Sequence, residues 1–319
     1  MRVFVAGATG AIGKRLVPML VANGHEVVAM TRSAQKADRL RAVGATPIVA
    51  DGLDRRVVVD AVVKARPDVV VHQLTALAGF GSMKRWDREW EQTNRLRTQG
   101  TEHLLEGAQA AGARRFVAQS YAGWPYAPQG GPVKTEQDPF DPNPPQQMRR
   151  TLDAIQYLEQ KVLGTTDLDG TALRYGNLYG PGTSIALGGD IVAMVRGRRL
   201  PIVGDGAGIW SFIHIEDAAA ATLAAIERGA VGVYNIVDDE PAPVSVWLPE
   251  LARAVGAKPP RRAPAWLARP LVGAPGISMM TRVRGASNAK AKRELGWQLR
   301  YPSWREGFRT GLDDSAAEQ

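Results

Sequence analysis

Three glycines near the start of the chain have the spacing of a phosphate-binding turn. Gly7, Gly10 and Gly13 follow the apolar run 3–6 and precede an amphipathic segment, 16–21. A strand, a turn and a helix in this order direct the free N–H groups and the positive helix end at a ligand above the strand, which suits a pyrophosphate. Gly7 would permit the bend, Gly10 would admit the phosphates, and Gly13 would let the helix pack closely on the strand. The pattern predicts a dinucleotide site.

The end of the second predicted strand, 26–30, indicates which dinucleotide is bound. A carboxylate there accepts hydrogen bonds from the ribose 2′-OH, whereas an arginine accommodates a 2′-phosphate. Neither Met30 nor Thr31 is acidic, and Arg32 and Ser33 follow at once. Two hydroxyls and a guanidinium suit a phosphate, although Arg32 could also be a solvated loop cation. NADP(H) is therefore the preferred cofactor in this prediction, with NAD(H) as the alternative.

Composition excludes several kinds of site. The 319 residues include no cysteine, and the four histidines are not at metal-ligand spacing, so neither thiolate chemistry nor a metal site is expected. No apolar run approaches the roughly 20 residues of a membrane span, and the chain begins in its first strand, which predicts a cytoplasmic protein without a membrane partner. The net charge is +8. The arginines of the chain are scattered over predicted helical faces, so a small-molecule substrate is expected rather than nucleic acid.

Strand and helix signals alternate along the chain, which predicts how these residues are positioned. The predicted strands lie near 3–6, 26–30, 47–51, 68–74, 115–120, 172–175 and 233–236. Long helices are predicted over 89–111 and 147–163, and a Pro- and Gly-rich loop over 124–145 is interpreted as an active-site loop. The alternation predicts an α/β fold, a Rossmann-type doubly wound parallel sheet with a smaller C-terminal substrate-binding lobe.

The predicted domain boundaries follow from this pattern. Residues 1–175 form the dinucleotide-binding domain, which is completed by about 209–238, with 209–228 crossing back as a helix. Residues 176–208 and 239–305 form the smaller lobe, and 312–319 is expected to be a frayed tail.

Five segments resemble the extended short-chain dehydrogenase/reductase family, of the nucleotide-sugar epimerase and dehydratase type. They are 7–13, Asp51 after the third strand, 173–182, 212–218 and 291–297. They occur in the family's order and span most of the chain. The resemblance is compatible with a homodimer and implies a cofactor site on the glycine turn and the strand ends. The members expected there are Gly7, Thr9, Gly10, Ala11, Ile12, Gly13, Arg32, Asp51, Gly52, Leu53, Leu74, Thr75, Ala76, Gln119, Tyr175, Asn177 and Leu178.

The resemblance also assigns regions of the cofactor. Asp51 and Leu53 are expected to bracket the adenine, and 74–76 to lie along the nicotinamide ribose. Residues 175–178 are expected to reach the nicotinamide and the substrate, with Asn177 orienting the substrate.

The family's catalytic Tyr and Lys have two candidate registers in this chain, which makes it an atypical member. The family places a Tyr and, four residues later, a Lys on one helix face, and Tyr157 and Lys161 match that spacing. Alignment of the helix end instead puts Thr151 and Ile155 at those places. The registers differ by six residues, about 9 Å along a helix, so at most one is correct.

A second departure concerns the hydroxyl that polarises the substrate. A gapless comparison puts Tyr121 where the family has its catalytic Ser or Thr, and Ser120 one residue earlier. Tyr121 would then either supply a phenol to the reaction or form an aromatic lid on the nicotinamide pocket.

The third departure concerns the substrate. Nucleotide-sugar enzymes of the family have an arginine shortly before the 212–218 segment, where this chain has Trp210. Trp124, Trp210 and Tyr179 would favour a flat or apolar substrate. We therefore predict an NADP(H)-binding oxidoreductase that acts on a carbonyl or hydroxyl of a small apolar or aromatic substrate. The alternatives are a non-redox isomerase, cyclase or lyase, a cofactor-binding sensor and, third, a nucleotide-sugar epimerase or dehydratase.

Overall fold

A seven-stranded parallel sheet is the centre of the structure, a computed structural model that describes residues 1–77 and 82–313. In chain order its strands are β1 (Arg2–Ala6), β2 (Glu26–Thr31), β3 (Thr46–Val49), β4 (Val69–His72), β5 (Arg115–Tyr121), β6 (Asp169–Tyr175) and β7 (Gly232–Ile236). The spatial order is β3-β2-β1-β4-β5-β6-β7, with every neighbouring pair parallel. The chain changes direction between β1 and β4, where such sheets bind ligands. The predicted doubly wound fold is confirmed.

Helices cover both faces of this sheet and build the second lobe. They are α1 (Gly13–Ala22), α2 (Ala34–Ala42), α3 (Arg55–Ala65), α4 (Trp86–Arg95), α5 (Thr101–Ala110), α6 (Gln146–Gly164), α7 (Asp190–Arg196), α8 (Ile215–Arg228), α9 (Val244–Ala254), α10 (Ala265–Thr281), α11 (Ala289–Leu295) and α12 (Trp304–Thr310). A π-helical turn, Leu96–Gly100, joins α4 to α5. The long helix predicted over 89–111 is therefore interrupted by this turn.

The apolar sequences of the central strands are explained by helices that pack on both faces of the sheet. All four residues of β4 are buried. One face packs with Leu16 of α1 and Ile226 of α8, and the other with Val62 of α3 and Leu158 of α6. A strand covered on both sides has no solvated position, so its sequence is apolar throughout apart from the bonded His72.

The second lobe contains short strand pairs around an aromatic core. The pairs are Asn177–Tyr179 with Phe212–His214, Ile202–Val203 with Arg262–Ala263, Ile209–Trp210 with Ala242–Pro243, and Val133–Lys134 with Gly285–Ala286. Trp210, Phe212, Trp247 and Trp304 are buried together in its core. The domain boundaries given above stay predictions.

The helix predicted over 209–228 is wrong in its first part. Residues 209–214 contribute to two short strands because their backbones pair with Ala242–Pro243 and Asn177–Tyr179. Helix α8 begins only at Ile215, where His214 caps it by accepting a hydrogen bond from the Glu216 N–H at 3.2 Å.

The predicted frayed tail lies mostly outside the described residues. Of its described part, Leu312 is buried in the core of the second lobe. Within 1–77 and 82–313, we find no helix with both the length and the hydrophobicity needed to cross a membrane.

Candidate active site

The glycine turn between β1 and α1 has the geometry of a cradle. Gly7 has a φ of +91°, and a Cβ there or at Gly13 would overlap backbone atoms. Gly10 is exposed, and a Cβ on it would meet the Gly7 oxygen at 3.2 Å. Helix α1 starts at Gly13 with no acidic residue in its first turn and no side-chain cap. Gly7 and Gly13 are thus required by the turn, whereas Gly10 leaves an open face that fits a pyrophosphate.

The end of β2 presents the groups expected to select the cofactor. Arg32 is exposed, and Ser33 precedes α2, whose first turn has neither an acidic residue nor a side-chain cap. The Thr31 hydroxyl lies 3.1 Å from that of Thr9 and accepts the Ser33 N–H at 3.3 Å. Thr31 therefore holds the turn, and Arg32 with the start of α2 remains for an anion.

The residues after β3 form a compact turn. The carboxylate of Asp51 accepts the Leu53 N–H at 3.0 Å. The carbonyl oxygen of Gly52 lies 3.1 Å from Nδ1 of His103. A Cβ at Gly52 would press into Leu74, which packs against the core on this face. The turn of residues 51–53, where the adenine is expected, is therefore held by hydrogen bonds and packing at the end of β3.

A cavity of about 870 Å³ runs from the glycine turn along the strand ends to the second lobe. Among its lining residues are these from the sequence prediction: Gly10, Ala11, Ile12, Gly13, Thr75, Ala76, Gln119, Tyr121, Tyr175, Asn177 and Leu178. Residues 182–191 and Trp210 line it from the second lobe. The cavity therefore connects the cradle for a dinucleotide with an aromatic pocket. Within the described residues, Gly7, Thr9 and Leu74 lie outside this lining, as do Arg32 and the turn 51–53.

Tyr121, the last residue of β5, lines the cavity. Its hydroxyl donates a hydrogen bond to Asn177 Oδ1 at 2.7 Å, and Asn177 Nδ2 donates to the Ser211 oxygen at 3.0 Å. A Cβ at Gly123 would overlap the Tyr121 hydroxyl, so this glycine leaves room for the ring. Burial raises the pKa of Tyr121, an effect that the charge of Arg97 opposes. The phenol is therefore protonated at neutral pH and held in place.

Ser120 points away from Tyr121 because successive side chains of a strand alternate. It is buried, and its hydroxyl donates to Glu159 Oε1 at 2.6 Å. The same carboxylate accepts two hydrogen bonds from Arg174, at 2.8 and 2.7 Å. Among the described residues Ser120 lies outside the cavity lining, in a polar network between β5, α6 and β6.

The two registers of α6 have different surroundings. Tyr157 is half-buried and donates to Glu102 of α5, and the exposed Lys161 amine lies 5.4 Å from the Tyr157 ring. Thr151 is buried, and its hydroxyl accepts the indole N–H of Trp86 at 3.0 Å. Neither Tyr157 nor Lys161 belongs to the described lining of the cavity. Of the two registers, that of Thr151 faces the aromatic residues of the cavity.

Tryptophans of α4 form the aromatic wall, and the sequence analysis missed them. Trp86 and Trp90 are stacked with centroids 5.0 Å apart, and both line the cavity. Trp210 lines it from the other side. Trp124 and Tyr179, expected to face the substrate, are buried in the core, Trp124 edge-on to Trp86 at 5.7 Å. In the described part of the chain, loop 124–145 lies outside the cavity lining.

Arg97 is the second group that the sequence analysis missed. It lies in the π-helical turn, is only 3% exposed and lines the cavity. Its guanidinium carbon is 5.4 Å from the centroid of Trp90. Within the described residues its Nη1 has no hydrogen-bond partner. The spacing i, i+4, i+11 of Trp86, Trp90 and Arg97 was a signal that these three side chains share a helix face.

Comparisons with known proteins agree with this architecture. The sequence profile of the NAD dependent epimerase/dehydratase family matches residues 3–237. A Streptomyces protein named 3-diazoavenalumate denitrifying reductase is 48% identical over 97% of this chain and 99% of its own. A 2-alkyl-3-oxoalkanoate reductase of Stenotrophomonas maltophilia is 29% identical over 95% of this chain and 91% of its own. The structure is similar to Thermus thermophilus UDP-glucose 4-epimerase in complex with NAD, with a TM-score of 0.73, 26% identity and 98% of both chains covered.

Proposed function

The chain belongs to the NAD dependent epimerase/dehydratase family, and from that membership we propose that it is an NADPH-dependent reductase of flat aromatic substrates. It is an NAD(P)-dependent oxidoreductase. The observation that carries the more specific proposal is the cavity itself, which continues from the cradle of Gly10 to the stacked pair of Trp86 and Trp90.

The residues present fit a nicotinamide dinucleotide. A Cβ would fill the open space at Gly10, which is where a pyrophosphate must approach the backbone. Arg32 and the amides at the start of α2 supply positive charge for a 2′-phosphate, and no acidic residue stands in the first turn of α2 to repel it. These groups support NADPH over NADH.

The pocket fits a flat ring better than a sugar nucleotide. The partly buried Trp90 stacks on the buried Trp86, and both line the cavity. By the family resemblance, Trp210, which also lines the cavity, occupies the place where nucleotide-sugar enzymes have an arginine. The indole N–H of Trp210 donates to the Met279 oxygen at 2.8 Å. It is therefore committed to the protein and does not replace a bidentate phosphate contact.

The proton-donating groups of the cavity favour a reaction that needs no strong acid. The place of the family's Tyr is Thr151 in the register that faces Trp86. Tyr121 has a raised pKa and donates to Asn177, so it is a weak acid. When bound, the cofactor would supply one hydride. In an arenediazonium ion the ring carbon that accepts it gains a C–H bond, the C–N bond breaks and N₂ leaves with its electron pair, so that atoms and charge balance without a proton. The name of the Streptomyces relative describes a reduction of this class, and we propose an aromatic diazo compound as substrate.

Reduction of an aromatic ketone is the second candidate. The hydroxyl of Tyr121 lines the cavity, where it could donate to a carbonyl oxygen, and the Stenotrophomonas relative is named as a reductase of an oxo compound. Ketone reduction consumes a proton, so it depends on Tyr121 as the proton donor. The diazonium reaction consumes no proton and does not depend on this hydroxyl.

The test compares two matched benzoates in the presence of NADPH. The substrates are 3-carboxybenzenediazonium and 3-acetylbenzoate, and NADPH oxidation, N₂ release and product are quantified. We expect one NADPH oxidised, one N₂ released and one benzoate formed per diazonium consumed, above the rates without enzyme and with the Gly10→Val variant. Reduction of the ketone without N₂ release would establish the second candidate. Turnover of either without loss of NADPH would contradict a reductase.

A further inference from the structure

Arg97 is a buried cation in the wall of the cavity, and no ion pair to it is found among the described residues. It is 3% exposed, and its Nη1 has no partner within residues 1–77 and 82–313. Burial lowers the pKa of Arg97 to about 10, so the guanidinium is still charged at neutral pH. An unpaired charge in a buried site is unfavourable, and an anion that completes its hydrogen bonds would remove that penalty.

Among the described residues, Glu159, Glu89 and Tyr121 do not supply that anion. Glu159 interacts with Arg97 through charge, but both of its oxygens accept hydrogen bonds from Arg174. Glu89, a lining carboxylate on α4, has Oε1 3.9 Å from Nε of Arg85. The hydroxyl of Tyr121 donates to Asn177, so its proton keeps it neutral.

The surroundings of Arg97 specify the class of ligand. Its guanidinium packs on Trp90, which stacks on Trp86, so a flat ring and a charged fork share one wall of the cavity. A planar guanidinium matches a carboxylate through two parallel hydrogen bonds. The turn that holds Arg97 is π-helical, a local irregularity that is frequent at functional sites.

We propose that Arg97 binds the carboxylate of an aromatic carboxylic acid whose ring lies against the tryptophans of α4. This makes Arg97 a specificity residue that admits aromatic acids in preference to their neutral analogues. The inference rests on the proposed function for the location of the substrate, but its test measures binding and needs no turnover.

The test is calorimetric titration of the protein, saturated with NADP⁺, with cinnamate and with cinnamamide. The two probes share a flat frame and differ in the charge of one end. We expect cinnamate to bind the unmodified protein at least tenfold more tightly than the amide, which corresponds to the strength of a charge-assisted hydrogen bond. Arg97→Met should reduce the ratio to about one, and Arg97→Lys should restore part of it.

Arg95→Met is the matched control. Arg95 ends α4 two residues earlier and is exposed, so its loss should leave the ratio unchanged. Binding of NADP⁺ to each variant reports whether the fold is intact. Equal affinity of the unmodified protein for both probes overturns the proposal without any variant. An Arg97→Met protein that keeps the ratio also overturns it and would restrict Arg97 to packing or to the electrostatics of Tyr121.

The outcomes separate this inference from the proposed function. Preference for cinnamate through Arg97, without NADPH oxidation by the diazonium compound, would contradict the proposed reaction and leave the anion site standing. Diazonium reduction with equal affinity for both probes would do the reverse.

Discussion

Replacement of Tyr121 by Phe separates the two candidate reactions because it removes one hydroxyl and keeps the ring. Within the described part of the chain the hydroxyl makes one hydrogen bond, which it donates to Asn177 at 2.7 Å. Loss of a neutral hydrogen bond costs about 1 kcal/mol, and the ring still packs beside Trp90. The free energy of unfolding should therefore decrease by about that amount, which moves the melting temperature by a few degrees at most.

The effect on turnover depends on whether the reaction consumes a proton. With the diazonium substrate, kcat of Tyr121→Phe should stay within a few-fold of the unmodified protein. With an aromatic ketone, loss of the proton donor should lower kcat by roughly 10²–10⁴-fold. The assay is single-turnover NADPH oxidation, which reports the chemical step and not product release.

Tyr157→Phe is the control for the other register. Its hydroxyl donates to Glu102 outside the described lining of the cavity, so both substrates should be turned over at an unchanged rate. A hundredfold loss in Tyr121→Phe with the diazonium substrate would refute the argument that no proton donor is needed. A comparable loss in Tyr157→Phe would refute the register in which Thr151 faces the cavity.

Three further predictions follow from the cofactor site and the buried histidines. Gly10→Val should abolish NADPH binding, measured by calorimetry, with the circular dichroism spectrum unchanged, because its side chain would fill the open face of the turn; unchanged affinity would mean that the glycine serves the turn alone. Arg32→Ala should weaken NADPH binding by about 1.5–3 kcal/mol and leave NADH binding unaffected; an equal loss for both would place Arg32 on the adenine. Burial lowers the pKa of His72 and His214 from 6.5 to about 4, so the unfolded chain takes up protons first as the pH falls. The contribution of these histidines to the free energy of unfolding should be constant above pH 6.5 and decrease towards pH 4, by on the order of 1.4 kcal/mol per pH unit for each histidine. Urea unfolding at pH 7 and 4.5 measures the change in this free energy. The decrease with falling pH should be smaller in His72→Gln.

Local sequence was sufficient where the physical cause is local. The glycine turn could be predicted because the positive φ of Gly7 and the crowding of Gly13 against Gly7 and Ala8 arise within the strand, turn and helix themselves, whereas the close approach of Gln73 to Gly7 is a tertiary contact. The parallel sheet could be predicted because strands covered on both faces have continuous apolar runs, as β4 has.

The side chains that line the cavity could not be predicted in the same way. Their identity depends on which face of each strand or helix is turned towards the cavity. A shift of one residue on β5 decides that Tyr121 lines the cavity and Ser120 does not. Arg97 resembled a solvated helical arginine, but it lies in the π-helical turn, which packs on α6, and it is buried there. The spacing of Trp86 and Trp90 in the sequence places them on one helix face. The hydrogen bond of Trp86 to Thr151, however, is known only from the tertiary structure.

Hydride transfer from NADPH to the diazonium carbon is tested most directly by deuterium transfer from NADPH labelled at C4 of the nicotinamide. The protein is incubated with the labelled cofactor and 3-carboxybenzenediazonium, and the benzoate formed is analysed by mass spectrometry and NMR. We expect one deuterium at the ring carbon that carried the diazonium group, from one face of the nicotinamide only, with no deuterium incorporated from D₂O when unlabelled NADPH is used. Benzoate that takes its hydrogen from solvent, or equal transfer from both faces, would contradict the proposed hydride transfer within this cavity.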